Sequence, residues 1–428
     1  MEELVFGKFL LDTRRRVLFR DGIPLPAAPK ALDLLELLAS RSGQVVTKDE
    51  MIRQVWRGDV VTDANLVQHV LLLRKLLGDE YGTNRYIVTV PKQGYRFVTE
   101  TQRSSVAATT NSDEAFRAFC HGQYLLQQRT LEGLRDAVRW FERAILVDEG
   151  FAMAHVGLAA GLGMLSIYMH AAPEDALPRA RAAATRALEL AQDVAGAHTV
   201  LAEVHCYFDG DWEGAMAEHR RALALQPESA DVRHSLAWFY VVTGELDHAL
   251  AETGLALHLD PSSLTIAANQ AVIFSYLGRH VDALEQLANV LQLAPEFSLA
   301  RYFYACALFG AGEYEMALNE LLFVQGFRFH ILALEAECHA RLGNSEAAQR
   351  MLSDVLAGCA SNYVSPYLLA RVYVALDEPE QALLMLERSR RERVAWTGFA
   401  LVDPAFNSLK GLPKFTLFTN AFRQGDIG

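Results

Sequence analysis

Asn65, Gln68, His69, Arg74, Lys75, Lys92, Gln93 and Arg96 are side chains of the types that contact a nucleic-acid duplex, gathered within one stretch of 32 residues. Asn and Gln present a donor beside an acceptor, which matches the adenine edge in the major groove. His reaches a base or a phosphate, and Arg and Lys neutralise phosphate. Such groups read a sequence only when a rigid element holds them at the groove. The spacing supplies one. Asp63 is an N-cap, and Leu66, Val70, Leu73 and Leu77 recur on one helix face. Arg74 and Lys75 stand near the C-terminal end, where cations suit the helix dipole, and Gly78 ends the helix. With the leucine face inward, Ala64, Asn65, Gln68, Leu71, Leu72 and Lys75 point outward or sideways. Residues 86–90 (YIVTV) and 95–98 (YRFV) then read as strands around the turn PKQG. Lys92 and Gln93 lie at the tip of that hairpin and Arg96 on its second strand. The helix fits a major groove, and the hairpin fits the neighbouring backbone or minor groove.

The preceding residues must hold this pair in place. Residues 5–11, 16–20 and 23–25 read as strands, with Asp21-Gly22 as a hairpin turn. Pro29 opens a helix whose apolar face is Ala31, Leu32, Leu35, Leu38 and Ala39, and Gly43 stops it. Thr47 with Glu50 forms a capping box for a helix through Trp56, and residues 57–62 link it to the next helix. The string LRKLLGD at 73–79, followed by TVPKQGYRF at 89–97, resembles the winged-helix DNA-binding domain of the OmpR/PhoB and ToxR/CadC regulators. There the first string ends the recognition helix and the second is the wing. The resemblance implies binding of double-stranded DNA, and contact with RNA polymerase through residues 57–62. Two departures stand out. Leu71 and Leu72 occupy positions where many relatives carry Ser or Arg, and Gln93 a tip position that is often basic. Leu71 and Leu72 suit thymine methyls or a protein partner. Arg74 suits a phosphate or an intradomain contact, and Arg96 a phosphate or a structural place in its strand.

Charge confines a nucleic-acid surface to this region. The net charge is −12, yet residues 1–100 hold 15 Lys/Arg against 13 Asp/Glu and the remainder 25 against 39. Residues 99–113 are rich in Thr, Ser and Ala without periodicity, which predicts a linker. Five cysteines without a CxxC pair predict buried thiols in a reducing cytoplasm. Residues 151–173 carry no Lys, Arg, Asp or Glu and are long enough to span a bilayer. They are Ala/Gly-rich and hold His155 and His170, so a buried helix is expected and no membrane partner. No metalloprotease, nucleophile-elbow or phosphate-loop motif occurs, so neither enzymatic activity nor a cofactor or metal is expected.

From about residue 114 a small residue recurs. Ala215, Ala249, Ala283, Ala317, Ala348 and Ala382 are spaced 34, 34, 34, 31 and 34. Gly244, Gly278, Gly312, Gly343 and Asp377 each precede an alanine by five positions, and Pro227, Pro261 and Pro295 each follow one by twelve. A 34-residue helix–turn–helix period is that of tetratricopeptide (TPR) repeats, in which small residues let paired helices approach. Ala137 and Ala180 extend the series at a gap of 43, which predicts an insertion near residues 171–175. Projected onto the first helix of each unit, the register places Tyr207, His234, Trp238, Tyr302, Phe309, Glu337 and Arg371 on a concave groove or in the inter-helix core.

The expected fold is an α+β winged-helix domain followed by an all-α TPR solenoid: domain 1–100, linker 101–113, about eight helix pairs over 114–395, and a cap over 396–428 on the last hydrophobic edge. The expected function is one-component transcription regulation in the cytoplasm, similar in layout to HilA-type activators. The solenoid would bind a protein or small-molecule effector, or pair two copies. A scaffold whose winged helix binds protein is the second reading.

Overall fold

A computed structural model describes residues 3–7, 9–13, 16–20, 23–25, 27–56, 63–79, 85–91, 93–104, 110, 112–359 and 362–426. Gly7 sits at φ +53°, so the first apolar run folds as two antiparallel strands, β1 (Glu3–Phe6) and β2 (Phe9–Asp12), where the pattern suggested one. Strands β3 (Val17–Arg20) and β4 (Ile23–Leu25) continue the meander. Next come α1 (Pro29–Ala39), β5 (Val45–Thr47), α2 (Lys48–Trp56), α3 (Asp63–Leu77), β6 (Ile87–Val90) and β7 (Gly94–Phe97). The second sheet has the order β5-β7-β6. A further strand, β8 (Gln102–Ser104), returns to pair with β1 and completes the order β4-β3-β2-β1-β8. Residues 101–113 are therefore not linker throughout. Pairing with β8 satisfies the backbone groups along the outer edge of β1.

Leu66, Val70, Leu73 and Leu77 are each at most 1% exposed, in one core with Leu35, Leu38, Met51 and Phe97. Thr47 Oγ1 accepts from the Glu50 amide at 3.3 Å, which starts α2 and forms one half of the expected box, while the Glu50 carboxylate accepts from Arg41 at 2.6 Å.

The rest is helical. The pairs α4 (Asp113–Leu126) and α5 (Leu131–Val147), α6 (Ala152–Ile167) and α7 (Pro173–Leu190), α8 (Ala195–Val204) and α9 (Trp212–Leu225), and α10 (Ala230–Thr243) and α11 (Leu246–Leu259) form the first half. The second half pairs α12 (Leu264–Tyr276) with α13 (His280–Leu293), α14 (Ser298–Gly310) with α15 (Tyr314–Leu321), α16 (Arg328–Arg341) with α17 (Ser345–Gly358), and α18 (Pro366–Ala375) with α19 (Pro379–Arg391). The recurring alanines from Ala137 to Ala382 are all 0% exposed, at the helix crossings where a larger side chain has no room. Gly244 makes the turn between α10 and α11 at φ +86°, and Asp377 makes the corresponding turn at φ +60° despite its side chain. The extra residues of the second unit are shared between its helices, of 16 and 18 residues, and the connection 168–172 between them, which is longer than the turn 244–245; since α7 begins at Pro173, the added length lies at and beside residues 171–175. No helix among the described residues is long and apolar enough to cross a membrane.

The solenoid closes on itself. His170, after α6, packs against Phe327 before α16 with ring centroids 5.7 Å apart. The C-terminal residues do not merely cap the last pair. Two short helical turns, Ala395–Leu401 and Pro404–Leu409, fold inward, and α20 (Pro413–Arg423) closes over them. Phe399 stacks on Trp238 of α10 at 5.4 Å, and Phe406 meets Tyr367 of α18 at 5.4 Å. Aromatic side chains at 396, 399 and 406 are better desolvated inside the superhelix than over one edge.

The N-terminal domain is seated on this array. Phe19 of β3 meets Phe116 of α4 edge-on at 5.3 Å. Arg20 donates to Ser262 Oγ at 2.9 Å, and Arg85 donates to the Leu259 carbonyl.

Candidate nucleic-acid interface

Helix α3 shows two faces. Opposite its buried leucines lie exposed Asn65, Val67, Gln68, Leu71, Leu72 and Lys75. The polar pair suited to base edges is thus presented to solvent, flanked by an apolar stripe in which Leu71 is 51% and Leu72 47% exposed. His69 is half-buried. Its Nδ1 lies 2.8 Å from the Asn65 carbonyl, and its ring packs edge-on against Trp56 at 5.2 Å. A ring held on both sides orients α3 against α2 and has little freedom left for a base.

Arg74 faces the wing. Its Nη2 donates to the Ile87 carbonyl at 2.9 Å and to Thr89 Oγ1 at 2.9 Å. Of the two uses open to it, the geometry favours the intradomain contact, because these two acceptors fix the helix to β6. Arg96 lies part-buried on β7, opposite Val88 and Val45, with no partner for its Nε among the described residues. Gln93 is exposed at the hairpin tip. Lys92 and the loop 57–62 lie outside the described residues.

One positioning residue was legible only as part of a motif string. Asp79, 4% exposed, accepts from the backbone amides of Arg85 at 2.8 Å, Tyr86 at 3.1 Å and Ile87 at 2.9 Å. One carboxylate therefore ties the end of α3 to the start of the wing. Charge-assisted bonds of this kind are about twice as strong as neutral ones.

The solenoid residues are engaged within the chain. Arg371 grips Glu337 with two bonds of 3.0 and 2.9 Å, and donates to Asp403 at 2.8 Å. Tyr367 also donates to Asp403, at 2.6 Å. Of the two places open to Arg371 and Glu337, groove or inter-helix core, the geometry favours the core. Buried charges need partners, and these have found each other and the folded-back C-terminal residues. Tyr207 is buried and shares a small internal void with Thr397 and Phe422. Tyr302 stacks on Phe327 at 6.0 Å, and Phe309 packs on Tyr314 at 5.4 Å. His234 accepts at Nε2 from Trp238 at 3.0 Å and from Asn269 at 2.9 Å. Burial, with help from the Arg129 charge, holds this ring neutral by pushing its pKa down to about 3. The cysteines are all free, but only Cys206 and Cys338 are buried and Cys359 is exposed, which corrects the expectation of uniformly buried thiols.

Residues 22–97 match the family described as "Transcriptional regulatory protein, C terminal". The transcriptional activator CadC of Escherichia coli K12 is 37% identical over 93 residues, which make up 22% of this chain and 18% of that protein. The response regulator SaeR of Staphylococcus aureus is 36% identical over 98 residues, 23% of this chain and 43% of that protein. The chain thus spans less than half the length of either relative. A human IFIT1 dimer structure with PPP-AAAA aligns over 73% of this chain and 71% of its own at TM-score 0.51 and 13% identity, a likeness of fold alone. Taken with the buried leucine face of α3, the wing behind it and the alanine-centred helix pairs, these matches identify the N-terminal region as an OmpR/PhoB-type DNA-binding domain carried on a TPR-like solenoid.

Proposed function

We propose that this chain is a one-component transcription regulator of the cytoplasm that binds promoter DNA through α3 and its wing. The solenoid behind them receives a signal or joins two copies. The single observation that carries the reading is the exposed set Asn65, Gln68 and Lys75 on the face of α3 opposite its buried leucines. On this reading Asn65 and Gln68 take base edges and Lys75 a phosphate. Arg96 adds counter-charge from the wing, and residues 57–62 meet RNA polymerase. Leu71 and Leu72 lie against thymine methyls, the apolar feature of the major groove.

The test is duplex binding by the full chain as salt rises. Each phosphate contact steepens the fall of affinity, by a slope of about 0.9 per contact on logarithmic axes. Absence of any duplex binding at low salt would sink the reading. A second reading, an adaptor whose winged helix docks on protein, is favoured by one observation: Val67, Leu71 and Leu72 form an exposed apolar stripe.

A further inference from the structure

Two neighbouring residues of one strand, Phe19 and Arg20 of β3, reach two distant parts of the solenoid. Phe19 is 3% exposed, yet strand alternation turns it away from the domain core that holds Leu18. It packs edge-on against Phe116 of α4, in the first helix pair, at 5.3 Å. Arg20 donates at 2.9 Å to Ser262 Oγ, in the turn that joins the fourth pair to the fifth. That hydroxyl is itself fixed, because it donates to Asp260 at 2.7 Å. A third contact comes from the wing side. Arg85 donates to the carbonyl of Leu259, the last residue of α11, where the helix dipole favours a cation. The Arg85 backbone is held twice, its amide by Asp79 at 2.8 Å and its carbonyl by Thr99 Oγ1 at 2.8 Å. Asp79 is the same carboxylate that ties α3 to the wing.

Along the solenoid, the way from Phe116 to Ser262 runs through four helix pairs, each packed on the next. Along β3 it is a single residue. In a stacked array small rotations between neighbours add up, so a change of curvature shows most between units far apart. A hydrogen bond of 2.9 Å is lost by about 3.6 Å, so an opening of about 0.7 Å at the turn releases Arg20. The seat leaves the recognition face uncovered. Asn65, Gln68, Leu71, Leu72 and Lys75 are exposed in the full chain. Docking on the solenoid therefore orients the N-terminal domain without occluding it.

We propose that the N-terminal domain is a clasp across the first four helix pairs, which couples the curvature of this arc to the setting of α3 and its wing. Arg20 and Arg85 are its positioning residues. They act through the turn between α11 and α12 and not on DNA. Whatever bends the arc moves that turn against Phe116, and Arg85 passes the movement to Asp79. Coupling of this kind is reciprocal, so a duplex held by α3 steadies the turn at 259–263. This last step rests on the regulator reading above, whereas the clasp stands on the contacts alone.

The test is amide hydrogen exchange of the full chain, read by mass spectrometry with and without a duplex selected from a random pool. In a variant carrying Arg20→Ala and Arg85→Ala, amides at 259–263 and 85–87 exchange about 10- to 100-fold faster, as loss of charged hydrogen bonds implies. Arg85→Lys, which keeps a cation at the end of α11, retains most of the protection. In the wild type the duplex slows exchange at 259–263, on the solenoid. In the double variant it does not, while the salt slope of duplex binding is unchanged because no phosphate contact has been removed. The proposal is overturned if the double variant exchanges like wild type at 259–263, or if a bound duplex leaves those amides unchanged in the wild type. If the double variant does not fold, the wild-type comparison decides. If no duplex binds even at low salt, the regulator reading fails, and exchange in the double variant decides the clasp.

Discussion

Asp79→Ala should uncouple the wing from the recognition helix. The carboxylate serves three backbone amides, and those of Tyr86 and Ile87 belong to residues 2% and 0% exposed. Water replaces the bond to the part-exposed Arg85 but not the other two. A buried donor left unpaired costs about 1–3 kcal/mol, so the substitution should cost roughly 2–6 kcal/mol. That is a large part of the ~5–15 kcal/mol that holds a domain together. Tyr86 lies 5.4 Å from Phe9 and 6.3 Å from Phe6, so a loosened wing start also opens the aromatic core. Asp79→Asn should fall between. Its carbonyl can serve Tyr86 and Ile87, which share Oδ2, while its amide group meets the Arg85 N–H. The assay is urea unfolding of the full chain, with duplex binding followed by anisotropy. The expected order of stability is wild type, then Asn, then Ala, with duplex affinity falling in the same order. An alanine variant with an unchanged unfolding midpoint would refute the reasoning, as would an asparagine variant as weak as alanine.

Other consequences are as direct. A Cβ on Gly94 would lie 2.0 Å from the Val46 carbonyl oxygen, a backbone atom that cannot step aside, so Gly94→Ala should break the pairing of β5 with β7. Proteolysis of the wing, faster than in wild type, reads this out. The solenoid should lose stability as pH falls from about 6.5 to 4. Burial lowers His170 and His219 to about 4 and His234 and His330 to about 3, so below the unfolded value near 6.5 the unfolded chain binds protons that the folded one does not. Glu203, raised to about 7, works the other way, since between about 4.5 and 7 the folded state binds the extra proton. Glu203→Gln should therefore steepen the loss, as melting temperatures at pH 7.5, 6.5 and 5.5 would show. Gln68→Ala should change the preference among duplex sequences, and Lys75→Ala should weaken all of them and reduce the salt slope by about 1. Binding selections from a random duplex pool separate the two outcomes.

Local periodicity made much of this visible in the sequence. The inward leucines of α3, the capping threonine of α2 and the crossing alanines follow from spacing within one element or one repeat. What depends on chain returning from a distance was not visible. The partners of Arg74 lie 13 and 15 residues away across a turn, and those of Arg371 lie 34 and 32 away. The inward fold of Phe399 has no repeat to announce it, so a groove-facing Trp238 could not be told from one stacked by its own chain. The 43-residue gap was legible as extra length near residues 171–175, but its division between longer helices and a longer connection is made by packing.

The strand β8 also sets a leash. It ends at Ser104 and α4 begins at Asp113, with Ser112 as its N-cap. At ~3.3–3.6 Å per residue the chain from 104 to 112 reaches at most about 29 Å, against about 45 Å for a free tether over 101–113. A DNA reader on so short a leash cannot search independently of the array that carries it. Wherever two copies are joined, the distance and rotation between their readers are set by the solenoids. An operator whose half-sites are moved by half a helical turn, about 5 base pairs, then presents its second half-site on the far side of the duplex. The protein would discriminate by spacing as sharply as by base sequence.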